Sequence, residues 1–110
     1  MSVPIPTRVP RLISRFDGKC HYCHRPVNIF GECGDRPTRE HLTPVCRGGS
    51  NLLSNIALAC ETCNSIKGDM TEAEYHYFIQ TGSLSESYVE WITRRIVLLA
   101  ARRGIFVGRE

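Results

Sequence analysis

The chain has 110 residues, with 14 Lys and Arg against 11 Asp and Glu, a formal net charge of +3. That length suits one domain, which buries roughly 60 to 70% of its unfolded surface and so has only a modest core. The sequence has no run of about 18 apolar residues that could cross a membrane, and the opening MSVPIPTRVPR, with three prolines, does not read as a signal peptide. A cytoplasmic protein with reduced thiols is expected, so the six cysteines read as ligands or redox groups and not as disulfides.

Residues 1–10 read as an extended arm, because Pro4, Pro6 and Pro10 remove backbone donors. RLISRF then supplies a short helix with Leu12, Ile13 and Phe16 facing inward and Gly18 as its stop. A Gly-rich hairpin or loop runs through NIFGECGDRP. TREHLTPV reads as a first strand, CRGGSNLLSN as a polar loop, and IALA as a second short strand, with a helix starting near ETCNSIKG. The residues from 71 to 104 are strongly helical. Thr71 with Glu74, and Ser83 with Glu86, fit capping boxes, and Gly82 splits two helices. On the second of these, Val89, Ile92, Ile96 and Leu99 recur at helical spacing and are expected to be ordinary core. Residues 105–110 read as a tail.

Two C-x-x-C pairs, Cys20 with Cys23 and Cys60 with Cys63, can supply four thiolates to one tetrahedral zinc. Such a site is closed and therefore structural. A redox dithiol is the rival reading, but one pair would suffice for it. Cys33 and Cys46 are left as free thiols, and His21 and His24 are expected to face solvent, since four thiolates already complete a zinc shell. Between the pairs, Glu40 and His41 stand side by side. Neighbours in a strand point to opposite faces, so they could share one site only where the pleat breaks down near Pro44.

The segment EHLTPVCRGGSNLLSNIALACETCNSIKG, with the preceding RLISRFDGKCHYC, resembles the HNH endonuclease family. The resemblance implies an α+β fold with a ββα-metal core stapled by structural zinc, flanked by N-terminal and C-terminal helices. It places the whole chain, 1–110, in one nuclease domain whose core is 11–70. It also implies hydrolysis of DNA phosphodiesters with one catalytic cation, Mg²⁺ or Mn²⁺. Glu40 matches the metal-binding carboxylate, although aspartate is commoner there, and His41 matches the general base. Asn55 matches the middle asparagine, suited to tying down loop backbone, and Asn64 matches the residue that completes the metal site. A hard cation prefers oxygen ligands such as these. Gly48 and Gly49 permit a tight loop. Arg39, Arg47, Lys67, Arg95 and Arg102 are candidate phosphate contacts. The partner implied is DNA, with no membrane, for a monomer or homodimer. A zinc-stapled nucleic-acid-binding module without turnover is the alternative.

Overall fold

The computed structural model describes residues 9–105 and 108. Residues 1–8 of the expected arm and most of the tail lie outside the described residues. The chain divides into two compact units at Glu72/Ala73, close to the expected end of the core at residue 70.

The first unit is built on a two-stranded antiparallel sheet, β1 (Pro37–His41) and β2 (Ile56–Cys60), with Glu40 opposite Ala57 and His41 opposite Ile56. All five β2 residues are buried, as a continuous apolar run covered on both faces should be. Helix α1 (Val9–Arg15) covers one side: Leu12 joins Ile56 and Leu58 in the core, with Ile13, Phe16 and Val27 packed against it. The helix starts two residues before the expected boundary and takes in Pro10, which the first helical turn tolerates because its amides have no intrahelical partner. Helix α2 (Glu61–Lys67) follows β2 directly, with Cys60 as its N-cap.

The first strand is shorter than the expected TREHLTPV. It stops at His41, after which Leu42 donates to the Asn55 carbonyl and Pro44 leads into a 3₁₀ turn at Val45–Arg47. The pleat continues through His41, so the anticipated break between Glu40 and His41 is not where the chain puts it. A second 3₁₀ turn, Leu53–Asn55, returns the chain to β2.

The second unit holds nearly all of helix α3 (Glu72–Thr81) and helix α4 (Glu86–Arg102). They are separated at Gly82, whose φ of 72° is left-handed. The start of α3 places Thr71 at the N-cap and Glu74 at the third helical position, the spacing read from sequence. The second cap is displaced. Ser85, not Ser83, is the N-cap of α4 and accepts from the Tyr88 amide. Glu74 is buried and accepts from Ser87 Oγ at 2.6 Å. The apolar stripe of α4 is not buried core: Val89, Ile96 and Leu99 are 44, 52 and 48% exposed, Ile92 is half-buried, and no residue of this helix is buried. Periodicity identifies which face of a helix is apolar, but it does not supply an element to cover that face.

Gly49 is required by the loop between the strands. A Cβ there would lie 1.8 Å from the Thr43 carbonyl oxygen and 2.9 Å from Asn55 Nδ2, whereas a Cβ at Gly48 meets nothing within 4 Å. Gly49→Ala is therefore expected to lower stability by about 1 to 3 kcal/mol, the usual cost of overpacking. Gly48 has a left-handed φ of 89°, so Gly48→Ala is expected to cost about 1 to 2 kcal/mol through backbone strain alone. Denaturant unfolding measures both, and a Gly49→Ala chain as stable as the wild type would contradict the close approach at Gly49.

Candidate functional site

The two C-x-x-C pairs meet. The Sγ atoms of Cys20, Cys23, Cys60 and Cys63 all lie within 4.8 Å of one another, and those of Cys23 and Cys60 are 3.9 Å apart. Four thiolates at about 2.3 Å from a tetrahedral zinc stand about 3.8 Å from each other. The cluster thus fits such an ion with small adjustments. The donor set is all sulfur, which suits zinc and not a hard cation. Local backbone prepares the sulfurs: the Tyr22 amide donates to Cys20 Sγ and the Cys63 amide to Cys60 Sγ, each at 3.4 Å. Burial opposes ionisation of Cys20, yet hydrogen bonds involving the Cys23, Cys60 and Tyr22 backbone outweigh it and lower its pKa. Cys60 goes the other way. Burial raises its pKa, the Cys63 amide offsets this only in part, and negative charge at Cys20 adds to the rise. A cation removes that conflict.

Cys33 and Cys46 stay outside the cluster and are exposed; Cys46 Sγ lies 3.6 Å from Asp69 Oδ1. His21 does not face solvent as expected. It is partly buried, bonds through Nε2 to Glu72 Oε2, and meets the Phe16 ring edge-on at 5.8 Å. The partner explains this, because Glu72, the last residue of the first unit, lies within hydrogen-bond reach of the ring.

The strand β1 presents two faces. On the face towards α2 lie Thr38 and Glu40, and on this face Asn64 Nδ2 donates to Thr38 Oγ1 at 3.1 Å. Glu40 is buried. Its carboxylate is bonded by the Tyr22 hydroxyl and paired with Lys67 Nζ, at 3.2 Å from Oε2 and 3.4 Å from Oε1. Lys67 has no exposed surface at all, and its ammonium also donates to the His41 carbonyl oxygen at 3.0 Å. Burial first, and then hydrogen bonding to the Glu40 carboxylate, pushes the Tyr22 pKa up, so the phenol is a proton donor.

His41 projects from the other face. Its Nε2 is 2.8 Å from Asn51 Oδ1; an amide oxygen only accepts, so this contact selects the tautomer with the proton on Nε2, in which Nδ1 is the acceptor. Sequence reasoning misses Asn51, because an asparagine after Gly-Gly-Ser reads as a turn residue. Asn55 Oδ1 accepts from the Thr43 amide at 2.9 Å, and its Nδ2 donates to the Thr43 and Ser50 carbonyls at 2.9 and 2.8 Å. One side chain thus ties both ends of the loop that follows His41.

The expected cation ligands, Glu40 and Asn64, are not brought to one open point. Asn64 is turned to Thr38, and the ammonium of Lys67 sits against Glu40 where a cation would have to be. The residues present do not fit a hard cation in this arrangement. Lys67 is likewise turned inward and not towards a phosphate. Arg39 is half-buried on β1, and Arg47 donates to the Asp69 carbonyl at 3.2 Å. In the second unit the Arg95 guanidinium lies 5.5 Å from the centroid of the Trp91 ring, and Arg102 is exposed at the end of α4.

A family model described as HNH endonuclease matches residues 20–77, more than half of the chain. The chain belongs to the HNH endonuclease family. The match begins at the first cysteine of the proposed zinc cluster and spans both C-x-x-C pairs, so the α+β core and the HNH region coincide. No curated protein matches the chain. Among the described residues no helix is long and apolar enough to cross a membrane.

Metal analysis of the purified chain is expected to find about one tightly held zinc. Cys60→Ser, which removes a thiolate but leaves a hydroxyl able to cap α2, is expected to abolish cooperative unfolding, because structural zinc contributes roughly 10 to 16 kcal/mol in zinc-finger peptides. A wild-type chain that folds cooperatively without zinc would overturn the assignment.

Proposed function

We propose that the chain is an endonuclease that hydrolyses DNA phosphodiester bonds with His41 as general base, acting as a single nuclease domain over 1–110. The observation that carries this reading is the state of His41: its ring is held from Nε2 by Asn51, which leaves Nδ1 as the acceptor, and its backbone is held by Lys67. A water oxygen attacks phosphorus while its proton passes to Nδ1. The bond from phosphorus to the 3′ oxygen breaks, and solvent protonates the leaving alkoxide, giving 5′-phosphate and 3′-hydroxyl ends. A divalent cation such as Mg²⁺ or Mn²⁺ would supply Lewis acidity to the phosphate; no step runs through Glu40 or Asn64 as its ligands. Asn55 acts indirectly by fixing Thr43 and Ser50, and so the loop beside the base.

A second reading rests on the burial of Glu40. If the carboxylate stays with Lys67 and no cation is recruited, the same zinc-held scaffold binds nucleic acid without cutting it. Incubation of the protein with supercoiled plasmid across Mg²⁺, Mn²⁺, Ni²⁺ and Zn²⁺, with EDTA controls, separates the two. In the nuclease reading His41→Ala is expected to lower cleavage by about 100- to 10,000-fold, the range for loss of a general base, with zinc content and fold unchanged. Cleavage by His41→Ala at the wild-type rate would overturn the mechanism.

The arginines supply the positive charge that an anionic partner requires. Arg39 and Arg47 flank the catalytic loop in sequence, and Arg95 and Arg102 lie on α4. Neutralising Arg95 and Arg102 together is expected to weaken binding to unrelated duplexes alike. It is also expected to flatten the slope of log affinity against log salt by roughly 0.9 for each phosphate that the variant no longer neutralises. An unchanged slope would place the binding surface elsewhere.

A further inference from the structure

We infer that Glu40, Lys67 and Tyr22 form a buried lock that positions His41, and that Glu40 serves this lock instead of ligating the catalytic cation. The inference rests on the nuclease reading for its kinetic consequences but not for its structural ones.

Three observations converge. Glu40 and Lys67 are 5 and 0% exposed, so neither is available to solvent or substrate as the chain is folded. The carboxylate is already satisfied by one hydroxyl and one ammonium. The same ammonium holds the backbone carbonyl of the proposed base at 3.0 Å. An ammonium has three protons; two directions are committed to Glu40 and His41, which fixes the nitrogen at one point against the strand. Tyr22 lies between Cys20 and Cys23, so the lock is anchored in the zinc frame. A cation at Glu40 would have to displace Lys67 and leave a buried ammonium with only a carbonyl for partner, which the low-dielectric interior strongly disfavours.

Neighbouring residues on a strand then have divided work. Glu40 points inward and immobilises the main chain, and His41 points outward with its ring oriented by Asn51. Misplacing a reacting group by about 1 Å can cost about 100-fold in rate. The lock thus acts on turnover through geometry, and both of its charged members are positioning residues.

The test uses the full zinc-loaded chain as Glu40→Gln, Lys67→Met and the double variant, which replaces the buried pair by neutral groups of similar shape and still tests the lock if a single variant fails to fold. Plasmid nicking is expected to show kcat reduced by about 10- to 100-fold in folded variants, with KM and the half-saturating Mn²⁺ concentration unchanged. NMR signals of the His41 ring are expected to shift in the same variants. Mg²⁺, which is diamagnetic, titrated into the wild type is expected to leave the Glu40 side-chain carboxyl chemical shift unchanged. Three results would overturn the inference: Glu40→Gln activity restored by raised Mn²⁺, Lys67→Met with raised KM and intact kcat, or a saturable Mg²⁺-dependent shift of the Glu40 carboxyl. If the wild type does not cut any plasmid, the nuclease reading fails by itself. The lock is then judged by NMR alone, and unshifted His41 signals in folded variants would refute it.

Discussion

Four sulfur atoms gathered within 4.8 Å are the constraint on which the first unit depends. They join a turn after α1 to the junction of β2 and α2, closing a loop in which Cys23 and Cys60 are 37 residues apart. The length-dependent part of the entropy of closing such a loop is about 3 kcal/mol. A core of Leu12, Ile56 and Leu58 with a few half-buried neighbours is small for that task. Structural zinc, at roughly 10 to 16 kcal/mol in zinc-finger peptides, is comparable to the whole stability of a small domain at about 5 to 15 kcal/mol. A zinc held by these four sulfurs would supply a cross-link of that size, with the sheet held within it.

From the first C-x-x-C pair a continuous polar chain runs to the loop that follows His41. Tyr22, within the first C-x-x-C, bonds Glu40 on β1; Glu40 pairs with Lys67 at the end of α2; Lys67 holds the His41 carbonyl. Among the described residues no buried side-chain nitrogen or oxygen is left without a hydrogen-bond partner. That condition matters most here, because breaking a buried ion pair by removing one member typically costs about 3 to 5 kcal/mol. Beyond His41 the chain is tied again, by the Leu42 amide to the Asn55 carbonyl and by the Asn55 side-chain amide to Thr43 and Ser50.

Much of this frame is legible in the sequence. The C-x-x-C spacing, the short IALA run and the Gly-Gly loop each have one strong physical meaning, and β2, α2 and the approach at Gly49 follow from them. What stays hidden is anything that depends on which long-range partner a side chain finds. Lys67 reads as a surface lysine because nearly all lysines are, and only the three-dimensional pairing with Glu40 makes its burial tolerable. His21 is drawn to Glu72, 51 residues away. The cap at Ser85 wins over Ser83 because two serines compete for one helix start, and spacing to a glutamate cannot rank them. On α4 the stripe of Val89, Ile96 and Leu99 is legible as a face, while its exposure is not.

The adjacency of Glu40 and His41 draws on both levels. In sequence it suggests two groups converging on one phosphate, which requires a broken pleat. In the structure the pleat is intact, and its alternation sends one residue to each side. Adjacency then has a different use. The inward Glu40 side chain holds Lys67, and Lys67 holds the His41 carbonyl at 3.0 Å, so the buried pair restrains the main chain that carries the outward ring. The outward ring needs only one further partner, Asn51, to be oriented as well. An acidic residue beside a histidine thus gives the proposed base a rigid mount without sharing its site.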